Sequence, residues 1–136
     1  MSYQFANNQT QSSFGLAPNV AALVSYIWIP VTSILVLVTE KQNRTVRFHA
    51  FQSLFLGLGV FAASIALSIV MGVGGAILAA VSSTLAVLAA LVSLVVWLAF
   101  TVAILAAWIL CLVKAYRGEM YQLPVVGKFA AGMVNQ

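Results

Sequence analysis

The sequence predicts an all-α integral membrane protein with three transmembrane helices, and three observations carry that expectation. The 136 residues are 63% apolar and only 6% charged, with a mean hydropathy of +1.09. A soluble domain cannot cover its surface with so few charges, so the bilayer is the solvent that suits the chain. The charges are also gathered: Lys41, Arg44 and Arg47 follow one apolar run, and Lys114, Arg117 and Lys128 follow another. Between them, residues 50–113 contain no charged side chain. As one helix that run would rise roughly 96 Å, about three bilayer cores, so it has to fold back on itself.

Residues 1–16 are rich in Gln, Asn and Ser, carry no charged side chain and read as a disordered polar tail. No basic n-region or cleavage site marks a secretory signal. A helical bundle is expected over residues 17–113, with spans at about 18–38, 50–71 and 85–113, and an interfacial tail over 114–136. The first span is roughly 21 residues, enough to cross a bilayer core. Pro18 suits its first turn. Pro30, near the middle, should kink it and free the carbonyl of Tyr26, with Thr32 or Ser33 re-satisfying the backbone there. Asn43 is placed to cap the second span. The fold-back falls on "MGVGGAILAAVSST", Met71 to Thr84, where Gly72, Gly74 and Gly75 offer a flexible apolar linker. Gly118 should end the last helix, and Pro124 should block its resumption.

Charge sets the expected orientation. Two spans between the basic segments put all six cations on one face, as the positive-inside bias requires. With three spans the N-terminus lies outside and the C-terminus in the cytoplasm, in a multi-pass protein of the inner (plasma) membrane. Small residues recur at four-residue spacing in Ser53 and Gly57, Ser64 and Ser68, and Ala99, Ala103 and Ala107, a pattern that lets helices approach closely.

Catalysis has little raw material. The chain has two glutamates, one histidine, one cysteine (Cys111) and no aspartate, so no catalytic set, metal site or cofactor is expected. The polar residues that do collect form a candidate cytoplasmic interaction cluster: Glu40, Lys41, Arg44, Arg47, His49, Gln52, Arg117 and Glu119. Within it, Glu119 is expected to pair with Arg44 or Arg47. Cys111, inside an apolar run, reads as a small buried hydrophobe.

The segments "LVTEKQNRTVRFHAFQS" and "KAYRGEMYQLPVVG" together resemble a bacterial membrane family of unknown function related to the Tic-twenty component of chloroplast protein import. The resemblance runs from about Asn19 to Ala130. It singles out Glu40, Lys41, Val46, Arg47, Phe48 and His49 at one end, and Tyr116, Gly118, Glu119, Tyr121, Pro124 and Gly127 at the other. The sequence thus points to a small non-enzymatic polytopic protein, an accessory subunit or assembly factor of a larger membrane complex. The resemblance implies an alternative, a homo-oligomeric channel or translocation component, and the basic loop suggests a membrane-border binding module. Expected partners are anionic headgroups of the bilayer and other membrane subunits or further copies of the chain, with no nucleic acid.

Overall fold

The computed structural model describes residues 12–135. Over that range the chain forms five helices: α1 (Pro18–Val24), α2 (Val31–Thr39), α3 (Arg44–Val81), α4 (Ser83–Tyr116) and α5 (Val126–Val134). Two of them, α3 with 38 residues and α4 with 34, are long and apolar enough to cross a membrane. The chain divides into two compact units, residues 12–58 with 107–135, and Gly59–Ala106.

The single helix expected over 18–38 is corrected to two short ones that double back. Pro30 has no N–H to donate, its ring crowds the carbonyl four residues earlier, and it disfavours helical geometry at Ile29. The chain does not bend through this obstacle. It leaves the helix at Ser25, runs as turns to Pro30, which stands as the N-cap of α2, and reverses. Three links show the two arms to be antiparallel. The Ser13 amide donates to the Glu40 carboxylate at 2.6 Å, Ala21 and Val36 share one apolar cluster, and the Ser33 hydroxyl lies 3.1 Å from the Ser25 carbonyl. The chain therefore enters and leaves this hairpin at one end, with Trp28 and Ile29 at the tip.

The polar tail is corrected in the same way where it is described. Residues 1–11 of that expected tail lie outside the described residues, but Ser12 is buried, and Ser12 to Leu16 form a turn closed by the Ser12 amide and hydroxyl on the Leu16 carbonyl.

At the start of α3, the Asn43 side chain accepts the Val46 amide at 3.2 Å, the cap the sequence predicts. The glycine-rich fold-back at 71–84 is also corrected. α3 runs straight through Gly72, Gly74 and Gly75 to Val81, and the break is Ser82 alone. Glycine permits a turn without requiring one. In an apolar stretch each broken helical hydrogen bond lacks a substitute, which favours the shortest possible interruption. Ser82 supplies it, donating its amide to the Leu78 carbonyl, accepting the Ala86 amide, and taking the Thr84 amide on its hydroxyl at 3.1 Å. Within the unit Gly59–Ala106, α3 and α4 meet at the Ser93 hydroxyl and the Met71 sulfur, 3.6 Å apart. Between them lies an apolar cleft of about 280 Å³ along Met71, Gly74, Leu78, Leu88 and Val92.

At the other end α4 stops where Gly118 is expected to stop it. Gly118 adopts φ +71°, its amide reaches the Ala115 carbonyl and the Glu119 amide reaches that of Lys114, a Schellman closure. The chain then turns sharply at Val125 (φ 67°), where the Val126 amide closes on the Pro124 carbonyl at 2.8 Å. α5 packs its small face, Gly127 and Ala130, inward.

Two glycines should respond oppositely to alanine. A Cβ at Gly127 would stand 2.5 Å from the Gln122 Cα, and backbone there cannot give way cheaply, whereas one at Gly74 meets nothing within 4 Å. Thermal unfolding in detergent should show Gly127→Ala destabilised by about 1–3 kcal/mol. Gly74→Ala should be neutral or slightly stabilising, because helix propensity improves.

Candidate functional site

The polar side chains of the unit formed by 12–58 and 107–135 converge on the hairpin's reversal. Because the helix breaks at Ser25, carbonyls around the turn lose their helical donors and need others. The Ser25 carbonyl accepts from Ser53 Oγ at 2.5 Å and Thr32 Oγ1 at 3.3 Å, while Ser33 Oγ, 3.1 Å from the same carbonyl and also in contact with Ser53 Oγ, has one proton to give to one of these two acceptors. The Tyr26 carbonyl, which the sequence expects to be freed by Pro30, accepts Trp108 Nε1–H at 2.9 Å. Thr32 Oγ1 takes the Trp28 amide at 3.2 Å. Ser25, Ser33 and Ser53 are fully buried, so no water competes for these groups.

A second network ties the segment after α4 to the hairpin. Gln52 Oε1 accepts the Leu123 amide at 3.1 Å, while its Nε2 donates to Tyr26 Oη at 3.2 Å and reaches Cys111 Sγ at 3.7 Å. His49 Nε2 lies 3.0 Å from the Glu119 carbonyl, and its Nδ1 lies 3.1 Å from Tyr26 Oη. A carbonyl can only accept, so Nε2 carries the proton, and Nδ1 accepts from the tyrosine. Phe48 and Tyr26 each meet the imidazole edge-on. Cys111 is buried beside Tyr26, Ala22 and Ala115, as a small hydrophobe would be.

Glu40 anchors the base of the hairpin. Its carboxylate takes the Ser13 amide on one oxygen, and the Ser13 hydroxyl and the Gln42 and Asn43 amides, each at 3.0 Å, on the other. Burial opposes its charge, but the Asn43, Ser13 and Gln42 amides and the Ser13 hydroxyl outweigh that and hold the carboxyl below its ordinary value.

The expected interaction cluster therefore separates into two sets. Glu40, His49 and Gln52 are buried and hydrogen-bonded within the fold. Lys41, Arg44, Arg117 and Glu119 are exposed, with Arg44 Nη2 on Asn135 Oδ1, and Arg47 lies between the two sets. The expected pairing of Glu119 with Arg44 or Arg47 is corrected, since Glu119 pairs with Lys114 at 2.5 Å. The Schellman turn at Gly118 is the reason, because it folds residue 119 back over residue 114. The hydrogen bond from Lys114 holds the Glu119 carboxyl below its ordinary value.

The small-residue seam also divides. Ser53 bonds the hairpin, and a Cβ on Gly57 would collide with Ile29. Ala107 packs on the cluster around Tyr26 and Cys111. Ser64 and Ser68 bond carbonyls of their own helix, and Ala99 and Ala103 are exposed. Ser25 and Trp108 are the site residues that the sequence does not single out, and Tyr26 is expected only through its carbonyl and not through its hydroxyl. The available signal was Pro30, four residues beyond a carbonyl that needed a donor.

Among the described residues no group of three His, Cys, Asp or Glu side chains gathers as a metal site requires. An apolar cavity of about 160 Å³ lies between Phe14, Ala21, Val24, Thr32 and Leu35.

Comparison with known proteins gives this arrangement relatives. The magnetosome magnetite crystal formation protein family (MamF/MmsF) matches residues 11–130. A UPF0132 membrane protein of Archaeoglobus fulgidus is 36% identical over 117 residues, covering 86% of this chain and 95% of the relative. Two UPF0132 membrane proteins of Methanocaldococcus jannaschii are 32% and 26% identical, over 88% and 87% of this chain and 91% and 71% of theirs. No solved structure matches. The bacterial membrane family of unknown function expected from the border motifs is this one, and these comparisons give no support for a relation to the Tic-twenty import component. The motif residues, Glu40, His49 and Glu119 among them, hold the hairpin and the Gly118 turn together.

Two changes probe the site. Trp108→Phe keeps the ring but leaves the Tyr26 carbonyl without its donor, and should lower stability by about 1–3 kcal/mol. For Glu40 the sign follows from its depressed pKa. Its contribution is complete above the ordinary value of 4.5 and is lost as pH falls through the lower folded-state value. Unfolding followed from pH 7 to pH 3 should show that acid slope in the wild type and a reduced one in Glu40→Gln.

Proposed function

The chain belongs to the magnetosome magnetite crystal formation protein family, whose relatives are named as membrane proteins, and we propose that it is a non-enzymatic structural subunit of a plasma-membrane complex. In this reading α3 and α4 are the spans, and α1 and α2 form a re-entrant hairpin that dips into the bilayer and returns. The outward side chains of the hairpin support this placement. Ile27, Trp28, Val31, Ile34, Leu35 and Val38 are all exposed, which suits lipid and not water. The satisfied carbonyls at its tip support it too, since non-helical backbone survives at membrane depth only where protein buries it. Its tip reaches Gly57, 13 residues into α3, or about 20 Å of helix rise.

Two spans between the basic segments keep Lys41, Arg44 and Arg47 on the same face as Lys114, Arg117 and Lys128, and the positive-inside bias makes that face cytoplasmic. The hairpin puts residues 12–16 on the same side, in place of the three-span arrangement with an outside N-terminus.

One observation carries the structural role. The buried polar side chains of this unit are spent on the chain's own backbone, on Ser25, Tyr26, Glu119 and Leu123, and so hold a shape instead of presenting chemistry. Meanwhile most of α3 and α4 within Gly59–Ala106 offers exposed apolar side chains and the small residues Ala99 and Ala103, a surface suited to another membrane helix. Co-purification of the tagged chain from its own membranes in mild detergent should retain a second membrane protein, or further copies of the chain, in fixed stoichiometry. Recovery as a bare monomer across several mild detergents would contradict the reading.

A further inference from the structure

We propose that the apolar cavity of the α1–α2 hairpin holds one acyl chain of a membrane phospholipid, taken from the leaflet into which the hairpin dips. The cavity, of about 160 Å³, is walled chiefly by Phe14 and Leu16 before α1, Ala21 and Val24 of α1, and Thr32 and Leu35 of α2. All of these side chains but Thr32 are hydrocarbon. The Thr32 hydroxyl is already engaged, since Oγ1 takes the Trp28 amide at 3.2 Å and donates to the Ser25 carbonyl at 3.3 Å. The lining therefore shows no polar surface. A water needs about two to four polar partners and finds none here. Left empty, the walls would forfeit their dispersion contacts on one side. Apolar cavities of this size, on the order of 150 Å³, stay dry and take up small apolar molecules.

The outer face of the hairpin identifies the occupant. Phe14, Leu16 and Leu35 line the cavity and are also exposed, so it opens outward past them. Ile34 and Leu35 stand four and three residues before Val38, and all three are exposed on the outward face of α2. In the reading above that face meets hydrocarbon, so acyl chains crowd the mouth of the cavity. A helix of another subunit, about 10–12 Å across with its side chains, is too wide to enter. A single flexible chain is not. The walls carry no charge for a headgroup, and Glu40 at the hairpin base has its oxygens filled by Ser13, Gln42 and Asn43. Selection is therefore for the chain and not for the headgroup.

This inference rests on the hairpin lying at membrane depth, and the experiment separates the two. The full chain is reconstituted in liposomes containing a trace of phosphatidylcholine with a diazirine in mid-chain. After irradiation, labelled residues are mapped by peptide mass spectrometry. Ile34 and Val38 report the depth of the hairpin, and the exposed Ile69 of α3 reports ordinary contact with lipid. Ala21 and Val24 report the cavity, and Ala21 is only 1% exposed, so surrounding lipid does not reach it from outside. We expect both cavity residues to be labelled, and a phosphatidylglycerol probe to give the same pattern. Val24→Phe, which fills the space, should cut labelling of Ala21 about tenfold or more and leave Ile69 unchanged, because the chain loses its contact surface. Leu35→Trp, at an exposed wall, gives the same measurement if Val24→Phe fails to fold. Labelling of Ile34, Val38 and Ile69 without Ala21 or Val24 would overturn the proposal, since protein would then fill the space. Labelling of Ala21 that survives both substitutions would overturn it as well. If Ile34 and Val38 stayed unlabelled while Ile69 reacted, the placement of the hairpin itself would be wrong, and the proposal would fall with it.

Discussion

Two carbonyls, those of Ser25 and Tyr26, govern this structure. A chain that reverses in apolar surroundings exposes backbone oxygens where water cannot reach them, and an unsatisfied one costs several kcal/mol. Hydroxyls from α2 and α3, Thr32 and Ser53, and the indole of α4, Trp108, answer them. Each donor comes from a different element. The reversal is thus stable only when α2, α3 and α4 stand around it, and folding of the hairpin and docking of the helices become one event.

The same logic extends outward. Gln52 spans the interior, with its amide nitrogen on Tyr26 and Cys111 and its oxygen on the Leu123 amide, and His49 links Tyr26 to the Glu119 carbonyl. The segment from Gly118 to Val125, which has no helix of its own, is held by these side chains. Glu40 does the corresponding work at the hairpin base, gathering Ser13, Gln42 and Asn43 on one carboxylate. Much of what looks in sequence like a charged, reactive border is therefore internal scaffolding. The groups left over are Arg47 and the exposed cations beside it.

Much of this was legible in the sequence, and the failures have physical causes. The helical class, the Asn43 cap, the Gly118 stop and the need for a donor at the Tyr26 carbonyl follow from local rules of capping and proline geometry. The course of the chain at Pro30 does not. Kink and reversal differ in where the donors come from, and Trp108 lies 82 residues away from Tyr26. The glycines at 72, 74 and 75 mislead for the complementary reason: glycine allows a turn, and only the lack of other hydrogen-bond partners decides against one. The partner of Glu119 was hidden because a Schellman turn brings residues five apart together, which charge patterning alone does not show.

The re-entrant hairpin is the central claim, and side-specific labelling tests it most directly. In a Cys111→Ala background, single cysteines at Ser13, Lys41 and Ser82 would be exposed to a membrane-impermeant thiol reagent from each face of sealed vesicles. The account predicts that Ser13→Cys and Lys41→Cys react from one face and Ser82→Cys from the other. Reaction of Ser13→Cys from the face opposite Lys41→Cys would mean that residues 18–38 cross the bilayer, and the hairpin would be wrong.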